Sequence, residues 1–402
     1  MRRRPYDAIV FGLFETGLGV IRSLGQKGLR ILGIDHRLNI GCASRYARYS
    51  ICPHPLRKEK EFIRWIRSNL SHDHPIPAFI TQDDFLIVIS RNRESIGDSI
   101  KLNMIDHALL ESIADKYQQS LLSQKAGIAT PETWLVKESS DLIQIRDQVS
   151  YPVIIKGRDV NRWRNTISKF IKVFLANDYE ALVSKTGGLL SSGVSFIVQE
   201  VIHGPETNHY KYCSYVTGDG KILGEFTLRK LRQNPVRFGF GTVVESIHDS
   251  GLIESGRKLL SGIGFTGIGS VEFKQDQNDG ILKLIEINPR YWQQNYLATK
   301  CGVNFPYLNY LDLLDKNPDP ELEFKSGVKW INILKDFDSY LTYRKEGSLS
   351  YREWRKSLKG KKVYSDFTWD DPIPRLYQFG IGPNLFKIPG YIFRRLRKRK
   401  NG

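Results

Sequence analysis

Two short apolar runs each carry a carboxylate: Gly269-Ser270-Val271-Glu272-Phe273 and Leu284-Ile285-Glu286-Ile287-Asn288-Pro289-Arg290. Both runs read as buried strands, and a buried carboxylate is costly unless a cation or a hydrogen-bond donor meets it. Asn278-Asp279-Gly280 reads as the turn between them, which sets Glu272 and Glu286 on adjacent antiparallel strands. Two carboxylates with the amide oxygen of Asn288 are hard oxygen donors, the set that Mg²⁺ takes together with water and substrate phosphates. The pattern therefore points to a nucleoside triphosphate as third component. Arg290, two residues past Asn288, is then in reach of a transferring phosphoryl group. The plainer alternative is a buried ion pair with Arg290.

These residues need elements to hold them, and the hydrophobic pattern supplies candidates. Residues 7–35 read as one βαβ unit, with strands at Ala8-Ile9-Val10-Phe11 and Arg30-Ile31-Leu32-Gly33-Ile34-Asp35. The turn beginning at Gly12 imitates a dinucleotide fingerprint, but Phe14 stands where the second glycine belongs, so a structural start to an open parallel sheet is expected. A helix is predicted from Met104-Ile105-Asp106 through Leu122, capped at Gly127, and it carries Lys116. A further helix is expected near 139–149. The strand Val153-Ile154-Ile155-Lys156 ends in a lysine, an irregular stretch runs from Gly157 to Ser168, and Phe170 to Phe174 reads as a returning strand. Phe196 to Ile202 is another strand, Asp219-Gly220 marks a hairpin, and a helix is expected at 251–262. Lys230 and Arg232, two apart on a strand, would share a face and either bind a substrate carboxylate or pair with surface acids. The pattern weakens beyond about residue 315, at Asn317-Pro318-Asp319-Pro320.

At 402 residues the chain is long enough for two or three domains. Its four cysteines are scattered without CxxC spacing, which argues against a zinc site or disulfide framework and for a reducing, cytoplasmic setting. Neither a signal peptide nor a membrane span is expected, because Glu15 and glycines interrupt the apolar run that follows Arg2-Arg3-Arg4. The net charge of +17 calls for an anionic partner. Aromatic residues are not interleaved with the cations in a repeating manner, and no nucleic-acid-binding signature is present, so no nucleic acid is expected. The apolar stretch from Leu385 followed by Arg394-Arg395-Leu396-Arg397-Lys398-Arg399-Lys400 has the composition of a peripheral anchor on an anionic membrane, here at the inner surface. A solvated, frayed tail is the alternative.

Taken in order, Lys116, Lys156, Gln199-Glu200-Val201-Ile202-His203-Gly204-Pro205-Glu206, Glu272 and Glu286-Ile287-Asn288-Pro289-Arg290 resemble the ATP-grasp superfamily. Lys230-Leu231-Arg232-Gln233-Asn234-Pro235, with Gly239 and Gly241, are similar to the stand-alone carboxylate–amine ligases of the D-aspartate ligase-like group. The resemblance implies an α/β fold: a βα open-sheet domain at 1–103, then a two-lobed grasp module with a small lobe at 104–195 and a large lobe at 196–315. A C-terminal extension at 316–402 follows. It also implies ATP and Mg²⁺, with Mn²⁺ as the alternative ion, and small carboxylate and amine substrates that a basic surface would favour as anions. On these terms Lys116 and Lys156 would hold phosphates, the Glu200–Ile202 backbone would read adenine, and Glu206 would accept from the ribose. Glu272, Glu286 and Asn288 would hold the metal, while Arg290, Lys230 and Arg232 would serve the reacting groups. Two departures stand out. Gly157 replaces a proline common after the strand lysine, and the covering loop offers Arg158, Arg162, Trp163 and Arg164 in place of glycines, as side chains to clamp phosphate or an anionic substrate. A catalytically idle nucleotide-binding scaffold at the membrane surface is the competing expectation.

Overall fold

A computed structural model describes residues 6–70, 74–159, 163, 166–167 and 173–378. Arg2 to Arg4, Arg162, Arg164 and the tail at 385–402 lie outside the described residues. The described residues form two compact units, one from those within Met1–Leu102, Gln293–Tyr296 and Val363–Gly402, the other from those within Asn103–Trp292 and Leu297–Lys362. No helix among the described residues is long and apolar enough to cross a membrane.

In the first unit five strands, β1 (Ala8–Phe11), β2 (Ile31–Asp35), β3 (Ala47–Ile51), β4 (Ile76–Ile80) and β5 (Ile100–Lys101), form a parallel sheet in the order β3-β2-β1-β4-β5. β1 and β4 are buried throughout, as continuous apolar strands covered on both faces should be. The turn after β1 depends on Gly12, whose φ is +87°. Asp35 closes that turn. Its fully buried carboxylate accepts the Leu13 N–H at 2.7 Å, the His36 N–H at 2.7 Å and the Asn39 amide at 2.8 Å. Asp35 is thus a structural acceptor. The described residues from Val363 onward belong to this unit through Asp371, which is fully buried. It receives Arg22 Nε at 3.0 Å, Ser44 Oγ at 2.9 Å and the Arg45 N–H at 2.9 Å.

The second unit contains two sheets. The smaller is antiparallel, in the order β6-β9-β7-β8, from β6 (Thr133–Val136), β7 (Val153–Gly157), β8 (Phe174–Ala176) and β9 (Phe196–Glu200). The larger sheet has six strands within this unit, β10 (His209–Val216), β11 (Ile222–Asn234), β12 (Phe240–Ser246), β13 (Gly267–Gln275), β14 (Leu282–Asn288) and β15 (Lys329–Ile331), in the order β14-β13-β10-β11-β12-β15. The Asp219-Gly220 hairpin joins β10 to β11 as expected, with Gly220 at φ +87°. The helix expected at 251–262 spans Ser250–Gly262, and the one expected near 139–149 is shorter, Ser139–Ile145. Of the returning strand expected at 170–174, the described part begins at Phe174 in β8.

The helix expected from 104 to 126 is two helices, His107–Ala114 and Lys116–Lys125. Asp115 separates them. Its extended backbone ends the first, and its carboxylate caps the second by accepting the Tyr117 and Gln118 N–H groups. Lys116 consequently stands at the first position of a helix rather than in the middle of one.

Candidate active site

β13 and β14 pair antiparallel with Glu272 directly opposite Glu286 and Ser270 opposite Asn288. On the other side of β13, Lys211 of β10 lies opposite Glu272. Glu272 receives two donors, Lys211 Nζ at 3.0 Å and His209 Nε2 at 2.7 Å. Burial pushes its pKa up, but Lys211 and His209 outweigh that and hold the carboxyl well below the usual carboxylate range. Glu286 pairs with the ammonium of Lys116. Burial and the facing Glu272 push its pKa up, and Lys116 and Arg290 bring it below its ordinary value.

Lys156, at the end of β7, shares a narrow cleft with Lys116, Thr130, Gln199, Leu284 and Ile285, so residues of both sheets line it. Burial and the charge of Lys116 push Lys156 down to about 8, against the attraction of Glu286. Two lysines against one carboxylate leave the cleft with positive charge in excess, which polyphosphate would neutralise.

Glu200 ends β9 and is tied at both oxygens, to Lys283 Nζ at 3.0 Å and to the Glu132 N–H at 3.1 Å. Lys283 also reaches Asp276 at 2.9 Å. Burial works against the Lys283 charge, yet Asp276 and Glu200 outweigh it and hold its pKa above the ordinary value. Val201 and Ile202 continue from Glu200, and the Ile202 carbonyl accepts from Lys274 Nζ at 2.6 Å. Lys283 and Lys274 therefore fix the segment connecting the two sheets. Arg290 reaches the Tyr291 carbonyl at 3.1 Å and Asn288 Oδ1 at 3.4 Å.

Three expected roles meet other partners. Glu206, expected at the ribose, accepts from Gln233 Nε2 at 2.8 Å, from the Arg237 N–H at 2.9 Å and from the Tyr343 hydroxyl. Lys230 and Arg232, expected on one face, are separated by a register shift in β11 that aims them differently. Lys230 donates to His209 Nδ1 at 3.1 Å and Gln233 Oε1 at 2.9 Å. Arg232 forms a buried bidentate pair with Asp336, at 2.8 and 2.9 Å, and reaches Ser357 Oγ at 2.6 Å. Trp163, expected to clamp an anion, is 2% exposed and belongs to the core of the smaller sheet. A Cβ on Gly157 would stand 2.5 Å from that of Trp163, which is why glycine follows the strand lysine. Arg158 is occupied as well, by Asp115 at 2.5 Å.

His209 was missed in the sequence. Burial and the Lys230 charge push it down to about 4, so the ring is neutral near pH 7. With Nδ1 accepting from Lys230, Nε2 carries the proton and donates to Glu272, giving a continuous chain from Glu272 through His209, Lys230 and Gln233 to Glu206. Alternation along β10 contained the signal, since His209 and Lys211 share a face.

Among the described residues no group of three or more His, Cys, Asp or Glu is arranged to cage a metal ion. Mg²⁺ does not require such a cage, because it keeps waters and phosphate oxygens as ligands. The facing carboxylates of Glu272 and Glu286 with Asn288 fit a partial site of that kind. Ser270, opposite Asn288, adds a buried hydroxyl without a hydrogen-bond partner.

A family model described as ATP-grasp in the biosynthetic pathway with Ter operon matches residues 232–334. Among solved structures, N5-carboxyaminoimidazole synthetase from Staphylococcus aureus complexed with ADP superimposes with a TM-score of 0.62 at 15% identity, over 80% of each chain. The fold is the ATP-grasp fold. A second ATP-grasp neighbour, the L-amino acid ligase from Bacillus licheniformis, has a TM-score of 0.58 at 14% identity, over 77% of this chain and 75% of that one. In sequence the chain is similar to the D-aspartate ligase of Enterococcus faecium (strain Aus0004), 22% identical over 277 residues. That match spans 66% of this chain and 65% of the relative's length.

Proposed function

We propose that the protein is an ATP- and Mg²⁺-dependent ligase that joins a small carboxylic acid to an amine. A substrate carboxylate oxygen attacks the γ-phosphorus, the bond to the β,γ-bridging oxygen breaks, and ADP leaves with that electron pair. The amine then attacks the acyl carbon and expels phosphate, losing its proton to solvent. The observation that carries this reading is the convergence of Lys116 and Lys156 from the smaller sheet's side with Glu286 and Glu272 from the larger sheet.

Lys116 and Lys156 hold phosphate oxygens, and the Glu200–Ile202 segment, fixed by Lys283 and Lys274, offers its backbone to the adenine. Mg²⁺, held by Glu272, Glu286 and Asn288, supplies charge neutralisation when bound, and Mn²⁺ suits the same oxygen donors. Arg290 stabilises negative charge on the transferring group. His209, by holding Lys230 and Glu272 in one orientation, keeps that wall rigid. Lys230, Arg232 and Glu206 then serve as positioning residues. The likeness to a D-aspartate ligase and an L-amino acid ligase supports an amino acid as one of the two substrates.

The test is ADP release by the purified protein with Mg²⁺-ATP and pairs of amino acids. Glu286→Gln is expected to lower that release by about a hundredfold or more, because preorganised charge is the main source of catalysis in such a site. Equal turnover by wild type and variant would remove Glu286 from the chemistry. ATP that raises the melting temperature while no substrate pair yields ADP would favour the idle scaffold instead.

A further inference from the structure

Helix Ile333–Lys345 packs inward through Asp336, Ser339 and Tyr340, all buried. Its opposite face is also apolar. Leu334, Phe337 and Leu341, at i, i+3 and i+7, are 37%, 44% and 47% exposed. One edge of the stripe is covered within the unit, where the Phe337 ring meets those of Tyr340 and Trp354, and the remainder of its apolar surface faces outward. The next helix, Tyr351–Ser357, extends it: the Trp354 ring lies 5.9 Å from Phe337 and 5.9 Å from Tyr351, itself 54% exposed.

Cations surround this surface. Arg344 and Lys345 flank the stripe on its own helix, Arg352 and Lys356 are exposed on the next, and the Arg355 guanidinium lies 5.8 Å from the Tyr351 ring centre. Residues 329–362 carry ten lysines and arginines against four acids, of which Asp336 is already neutralised by Arg232. Exposed Leu and Phe with a Tyr and Trp beside them, rimmed by Lys and Arg, form the pattern that lies in a bilayer interface.

We propose that this face docks the protein on an anionic lipid surface, with Leu334, Phe337, Leu341 and Tyr351 entering the headgroup layer and the surrounding arginines and lysines meeting lipid phosphates. The proposal uses none of the residues of the tail at 385–402 and does not depend on ligase activity.

Co-sedimentation of the full chain with vesicles of phosphatidylcholine alone, or mixed with phosphatidylglycerol, tests it. Wild type should pellet with the mixed vesicles and stay in solution with phosphatidylcholine. Phe337→Ser/Leu341→Ser should weaken partition to the mixed vesicles by roughly tenfold. Arg344→Glu/Lys345→Glu, which spares the apolar stripe and decides the matter should the first variant fold poorly, should weaken it by at least roughly tenfold. Both differences should persist when residues 385–402 are removed from parent and variants alike. Equal partition of wild type to the two vesicle types, or wild-type partition by the charge-reversed variant, would overturn the proposal. So would loss of every difference once the tail is removed, or variants altered only in self-association.

Discussion

Lys156 and Lys116 share one cleft, and Glu286 makes its ion pair with Lys116. Lys156 therefore bears the desolvation, and its pKa falls to about 8. An unfolded lysine titrates near 10.4, so the folded chain holds this proton more weakly than the unfolded one. The resulting penalty on stability is complete below pH 8 and is relieved as pH rises from about 8 toward the unfolded value. Phosphates act in the opposite direction, favouring the charged form. Nucleotide binding near pH 8.5 is accordingly expected to draw a proton onto Lys156, seen in calorimetry as a binding heat that depends on the buffer's ionisation enthalpy. Buffer-independent heats at that pH, or the same dependence in Lys156→Met, would count against it. Nothing in the strand Val153-Ile154-Ile155-Lys156 as written shows this shift, because it arises from burial in the cleft and from Lys116, 40 residues earlier in the chain.

The strands were easier to read than the contacts between them. Glu272 and Glu286 on adjacent antiparallel strands followed from two apolar runs and an Asn-Asp-Gly turn, and the pairing places them opposite each other. Asp115 was harder, since an acidic residue inside a polar helical stretch looks like surface until its carboxylate turns to cap. The β11 bulge was invisible too. Alternation assigned Lys230 and Arg232 one face, and only the pairing with β12 shows the shift that parts them. Gly157 looked like a departure near a phosphate-covering loop, yet it makes room for Trp163. Gly157→Ala is expected to cost about 1–3 kcal/mol in urea unfolding through overpacking. A stability within roughly 0.5 kcal/mol of wild type would mean that Trp163 is not confined there.

At the scale of the whole chain, composition indicated several domains, and the parallel sheet of the first unit followed from its apolar runs. Past residue 315, β15 with three residues and helix Tyr351–Ser357 with seven are too short to show a period, and helix Ile333–Lys345 carries apolar residues on both its buried and its outer face. What organises it is buried charge, and charge leaves no periodic trace. Residues 316–362 lie in the second unit, where Asp336 holds Arg232, and the described residues from Val363 onward lie in the first, where Asp371 holds Arg22. Removing one member of such a pair strands the other. Asp371→Ala is expected to cost about 3–5 kcal/mol. Limited proteolysis should then cleave at 363–378 well before wild type does, and equal cleavage rates would show that the segment is held by other means.

The Lys116–Glu286 pair has a consequence for how the cleft fills. The ammonium and the carboxylate cancel each other, so on the proposed reading the pair stands in for both halves of a metal–nucleotide ligand. A polyphosphate arriving alone would draw Lys116 away and strand an anion in a desolvated place. A cation arriving alone would strand the ammonium. Occupancy by the two together exchanges partners without leaving either charge exposed, so each should bind far more tightly in the other's presence than by itself.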